Sequence, residues 1–126
     1  MKVVIDTSII IDFIRGGSKW EDFIKNTPED TEFYLPTIVI YELFSGESTR
    51  QAGHVKVIND FLRYFRRIEL NEEIAILAGE LYRDVSKNFG VEDYVIAASA
   101  LEVNAEVLTF NIKHFQQIPN LKIYGD

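Results

Sequence analysis

The sequence predicts an α/β sandwich around a mainly parallel sheet. Short β-branched runs alternate along most of the chain with segments whose apolar residues recur at helical spacing. The first run, Lys2 to Ile5, is continuously apolar after its lysine, as in a strand buried on both faces. At 126 residues the chain is expected to form one domain, 1–126, and to bury roughly two-thirds of its unfolded surface.

In order along the chain, Lys2 to Ile5 is the first strand. Asp6-Thr7-Ser8 follows, and Ile9, Ile10, Phe13 and Ile14 mark a short helix ended by Gly16-Gly17. Ser18 is a cap for a second short helix carrying Trp20, Phe23 and Ile24. Glu32 to Leu35 is a strand, and Pro36-Thr37 opens a helix through Phe44 that Gly46 suits at its end. The polar stretch Glu47 to His54 reads as a mobile loop. Val55, Ile58, Phe61, Leu62 and Phe65 then return to helical spacing. Arg67 to Leu70 is a strand. Asn71 caps a long helix with the stripe Ile74, Leu77, Ala78, Leu81 and Val85. Gly90 is a turn, and Asp93 to Val103 is a helix so apolar that it must be buried. Glu106 to Phe110 is a strand, Asn111 to Gln116 a turn or short helix, and Lys122 to Tyr124 a last strand.

Apolar residues make up 47% and charged residues 26%, the balance of an ordinary globule. The net charge of −7 excludes a protein that grips nucleic acid with its whole surface. It leaves room for a local basic patch, or for carboxylates that meet a phosphate through a metal ion. The absence of cysteine excludes disulfides, thiolate zinc sites and cysteine nucleophiles, and is compatible with a cytoplasmic protein. Asp12, Glu42 and Asp93 interrupt the longest apolar stretches, so no membrane association is expected.

The isolated acids are the candidates for chemistry. Asp6 ends a buried strand, where a parallel sheet builds its sites; it is equally a good helix cap. Glu42 lies in Thr37-Ile38-Val39-Ile40-Tyr41-Glu42-Leu43-Phe44, where a charge costs several kcal/mol unless paired or coordinated; its other reading is a narrow solvent stripe. Asp93 opens its apolar helix either as a cap or dipole charge or as a site residue. Asn111 follows a strand and can ligate a metal through its amide oxygen or cap a turn. Oxygen donors of this kind suit Mg²⁺ or Mn²⁺, the apparatus of phosphodiester hydrolysis. Asp12, with Glu80, Arg83 and Asp84, reads as solvated surface. His114 reads as a turn residue, and Arg63, Arg66 and Arg67 as a solvated helix end. No glycine-rich phosphate loop or Gly-x-Ser-x-Gly elbow is present. A phosphatase using Asp6 as nucleophile would carry a second aspartate two residues on, where Ser8 stands.

Val3-Val4-Ile5-Asp6-Thr7-Ser8-Ile9-Ile10 resembles the opening motif of PIN-domain nucleases. Pro36 to Gly46, with Glu42, resembles their second motif; Asp93 to Leu101 resembles the third; Val107 to Phe115, followed by Ile118-Pro119-Asn120-Leu121, resembles the fourth. The short single-domain form is similar to VapC-type toxins of toxin–antitoxin pairs. The resemblance implies a three-layer α/β/α sandwich and a Mg²⁺- or Mn²⁺-dependent endoribonuclease acting on RNA. It implies that Asp6, Glu42 and Asp93 are the catalytic, metal-binding acids, with Asn111 beside them, and that Thr7 or Ser8 supports the site by hydrogen bonds or touches a phosphate. It further implies a homodimer and a cognate VapB-like antitoxin whose tail enters the acidic groove with a basic residue such as arginine. Many PIN domains carry aspartate at the fourth motif, where this chain has Asn111, so a weaker second metal position is expected. An RNA-processing nuclease that is not a toxin, and a PIN-like binding partner without catalysis, are the competing readings.

Overall fold

The computed structural model describes residues 1–125. Five strands form one sheet in the order β3-β2-β1-β4-β5: β1 (Lys2–Ile5), β2 (Glu32–Pro36), β3 (Arg66–Ile68), β4 (Glu106–Leu108) and β5 (Lys122–Ile123). Every neighbouring pair is parallel. Val3, Val4 and Ile5 of the central strand are fully buried, as their unbroken apolar run requires. The helices are α1 (Thr7–Ile14), α2 (Lys19–Asn26), α3 (Thr37–Phe44), α4 (Ala52–Leu62), α5 (Glu72–Asp84), α6 (Val91–Val103) and α7 (Ile112–Phe115). With the sheet they form the three-layer α/β/α sandwich.

The strand order creates the place for a site. From β1 the chain moves outward through β2 to β3, then returns by α5 and α6 to lay β4 against the other side of β1. The strand order therefore reverses at β1 and β4, and a crevice opens beyond their carboxyl ends. Asp6 and Thr109 are the residues that follow those two ends.

Helix α6 lies across the sheet and packs on β1, β2, β4, α3, α5 and α7. Its alanines Ala97, Ala98 and Ala100 are fully buried, so small side chains let the helix approach the strands closely. Asn104 ends it in the left-handed conformation, φ 58°. Elsewhere in the core the rings of Phe13, Trp20, Phe23, Phe33, Phe61 and Phe65 pack mostly edge to face and tie α1, α2 and α4 to β2. As expected, Asn71 caps α5: its side-chain oxygen accepts the Ile74 N–H at 2.9 Å.

Several local expectations are corrected. The stretch 47–54 is not a loop: a 3₁₀ turn covers Glu47–Arg50, and α4 begins at Ala52. Ser18 occupies the cap position of α2, but its hydroxyl caps nothing. Asp12, expected in solvent, is half-buried and its carboxylate accepts the Lys19 N–H at 3.3 Å. A Cβ on Gly17 would fall 2.1 Å from that carboxylate, so glycine leaves room for it where it stands. Arg67 is exposed, as expected, but it lies in β3 and not at a helix end. Its guanidinium donates to the Leu62 and Phe65 carbonyls and closes the turn into β3.

Candidate active site at the carboxyl edge of the sheet

Asp6 is 2% exposed at the junction of β1 and α1. It has the backbone of a helix cap, φ −82° and ψ 155°, yet its carboxylate caps no N–H. Instead Oδ2 accepts the Thr109 hydroxyl at 2.6 Å and the Ser8 hydroxyl at 2.9 Å. Ser8 Oγ in turn accepts the Phe110 N–H, and Thr109 Oγ1 accepts the Asn111 N–H. These bonds lash the ends of β1 and β4 together through one carboxylate. The capping reading is thereby set aside.

Glu42 projects from α3 and is half-buried. Its Oε1 accepts the buried Thr7 hydroxyl at 2.6 Å. Burial raises its pKa above the usual carboxylate range; the Thr7 bond opposes that, and the charges of Asp6, Glu92 and Asp93 add to it. Asp93 lies in the first turn of α6, where Gly90 holds the cap position. Its Oδ2 lies 3.1 Å from Nδ1 of His114, whose ring stacks on Phe89 at 4.7 Å. Burial also raises the pKa of Asp93, opposed by the His114 hydrogen bond and reinforced by the charges of Asp6 and Glu92.

The structure thus brings Asp6, Glu42 and Asp93 into one electrostatically coupled cluster, with Thr7 and Ser8 bonded to two of them. Each acid commits one oxygen to a protein donor and leaves the other without one. No buried side-chain oxygen among the described residues lacks a partner, so those free oxygens are open to the crevice. Among the described residues no lysine or arginine pairs with these acids; the basic group on them is His114, at Asp93. Among the described residues no three acidic or histidine side chains come together closely enough to hold one metal ion as they stand. Asn111 is exposed at the rim; its backbone N–H donates to Thr109 Oγ1 and its carbonyl accepts the His114 and Phe115 N–H groups. Thr109, Glu92 and His114 were not singled out as site residues. Thr109 meets Asp6 across 103 residues of sequence, and no local pattern encodes that contact.

A groove of about 460 Å³ runs from Glu42 between α1, α3 and α4, with walls of Ile11, Ile14, Leu43 and Ile58. It combines an apolar floor with a carboxylate at one end.

Comparison with known proteins matches this architecture throughout. The PIN domain family model covers residues 3–121. The chain is 28% identical to Ribonuclease VapC19 of Mycobacterium tuberculosis, over 94% of this chain and 96% of that protein. It is also 28% identical to Ribonuclease VapC of Rickettsia bellii, over 98% of this chain and 95% of that protein. Among solved structures, VapBC2 from Rickettsia felis bound to a DNA fragment from its promoter superposes with a TM-score of 0.84 at 25% identity, covering 98% of this chain and 97% of that one. VapBC-1 from nontypeable Haemophilus influenzae gives 0.82 at 25% identity, over 98% and 96%. With its motifs in order and its fold matched over nearly the whole length, the chain belongs to the PIN domain family.

Proposed function

We propose that the chain is a Mg²⁺- or Mn²⁺-dependent endoribonuclease and the toxin of a toxin–antitoxin pair. The observation that carries this is the acid cluster at the switch point of the sheet, with its uncommitted oxygens and, among the described residues, no lysine or arginine paired with it. Asp6, Glu42 and Asp93 would hold the cation, with the Asn111 amide as a fourth oxygen donor. Hard oxygen donors of this kind fit a small divalent cation. When bound, it supplies an activated water and a counter-charge for the phosphate oxygens. The chain's own residues do the positioning. Thr109 and Ser8 fix the Asp6 carboxylate, Thr7 fixes Glu42, and His114 fixes Asp93. Hydrolysis would then break a phosphorus–oxygen bond of the RNA backbone while a water oxygen takes its place.

The names of the relatives, ribonucleases and toxin–antitoxin complexes, support RNA as substrate and a VapB-like antitoxin as partner. The groove between α1, α3 and α4 is where we place the antitoxin tail: apolar residues on Ile11, Ile14, Leu43 and Ile58, and an arginine toward Glu42. A second copy of the chain is placed against the recess lined by Leu70, Ala78, Tyr82 and Val91 on α5 and α6.

The test is cleavage of a mixed RNA pool by purified protein, with Mg²⁺ or Mn²⁺ and with EDTA. Expected is cation-dependent cutting that Asp6→Asn and Asp93→Asn abolish while circular dichroism stays unchanged. Undiminished cutting by both folded variants would remove these residues from the mechanism.

A further inference from the structure

We propose that Phe110, Arg15 and Lys19 form a nucleotide subsite for single-stranded RNA, beside the acid cluster, in which a base stacks on the Phe110 ring. The proposal deepens the ribonuclease reading and rests on it.

Phe110 stands directly after Thr109, the residue that holds Asp6. Its backbone N–H is fixed by Ser8 Oγ at 3.1 Å, and Ser8 is fixed by Asp6. The ring is nevertheless 50% exposed. The backbone that carries this open aromatic side chain is therefore tied to the acid cluster by two hydrogen bonds. A single exposed aromatic is ordinary on a protein surface; its neighbours here are not.

Lys19 Nζ lies 5.8 Å from the Phe110 ring centroid. Arg15 lines the same recess, with Ser8, Ile11 and Asp12. Of the six arginines, Arg50, Arg63, Arg66 and Arg83 pair with carboxylates and Arg67 with carbonyls. The Arg15 guanidinium alone has no hydrogen-bond or ion-pair partner among the described residues. Lys19 likewise has no carboxylate on its ammonium group. The carboxylate of Asp12 is turned to the Lys19 backbone N–H. On a chain of net charge −7, the unpaired Arg15 guanidinium and the Lys19 ammonium over the ring stand beside an exposed ring next to the acid cluster.

An aromatic face with adjacent cations is the chemistry that single-stranded nucleic acid needs: the ring takes a base, the cations take phosphates. A duplex offers no free base face, so a single strand is the occupant.

The experiment uses fluorescence anisotropy of a labelled single-stranded RNA of mixed sequence. The protein carries Asp6→Asn, so the probe stays whole. Adding Phe110→Ala is expected to weaken binding roughly tenfold, within the range of one base–aromatic stack. Phe110→Tyr should restore it, and Tyr64→Ala, on an exposed ring elsewhere, should change nothing. Arg15→Gln should lower the salt dependence of binding by about 0.7 in log–log slope, one phosphate contact. Equal affinities for the Phe110→Ala and Phe110→Tyr proteins would overturn the subsite. Cleavage by the unsubstituted chain is scored separately. If it cuts RNA while Phe110→Ala binds normally, the subsite fails and the nuclease stands. If it cuts nothing, the nuclease reading fails and the anisotropy series still decides the subsite.

Discussion

At the scale of single residues, the acids of the cluster cost the metal-free protein stability. Glu42 is held half-buried among like charges, and its pKa is raised in the folded state. Between the ordinary carboxylate range and that raised value the folded chain binds more protons than the unfolded one. Stability is therefore lost as pH rises through the folded pKa, and is retained below the ordinary range. Glu42→Gln keeps an oxygen for the Thr7 hydroxyl and removes the charge. Without metal at neutral pH it should raise the melting temperature by roughly 2 °C, on the order of 0.5 kcal/mol after solvent screening of a half-exposed group. The gain should vanish in mild acid. A lower melting temperature at neutral pH would mean that the carboxylate is stabilising as it stands. Sequence alone identified Asp6, Glu42 and Asp93 as unusual because a charge inside an apolar run has to be explained. It could not decide whether the Asp6 carboxylate caps its helix. That needed Thr109, which reaches the carboxylate only after β1 and β4 pair. His114 stayed hidden for the same reason: its contact with Asp93 arises where α7 meets α6.

At the scale of elements, hydrophobic period and capping made most boundaries legible. Asn71 was read as a cap from its place before an apolar stripe, and its side chain accepts the Ile74 N–H. Asn71→Ala should cost about 1 kcal/mol and Asn71→Asp much less, measurable by urea titration. Equal losses for the two would remove the cap from the account of α5. The stretch 47–54 reads as a loop because Ser, Thr, Gln, Gly and His there have no apolar period. Its turn is held instead by Thr49 Oγ1 on the Gly46 carbonyl at 2.8 Å and by an exposed Arg50–Glu47 pair. Polar side-chain bonds of this kind leave no periodic trace. The cap of α2 was assigned to Ser18 by adjacency. Asp12, a turn earlier, supplies it because the chain doubles back at Gly16, φ 84°.

At the scale of the whole molecule, the parallel sheet followed from alternating strands and helices, but strand order did not. Nothing local specifies that β4 inserts beside β1, and that choice gathers the site. The exposed apolar recess on α5 and α6 is likewise visible only once Leu70 and Val91 are brought together in space. Leu70→Asp with Val91→Asp places two charges there without touching the core. Expected is a shift from dimer to monomer in sedimentation, with helical content unchanged. A double variant that sediments as the native chain does would clear this face of a role in assembly.

Calorimetric titration of Mn²⁺ into the purified chain and into Asp6→Asn, with the RNA assay on the same samples, tests the central claim most directly. Expected is cation binding by the native chain, lost or at least tenfold weaker in the variant, together with loss of cutting. Unchanged binding in folded Asp6→Asn, or cutting that persists without a cation, would contradict the assignment of this crevice as a metal-dependent active site.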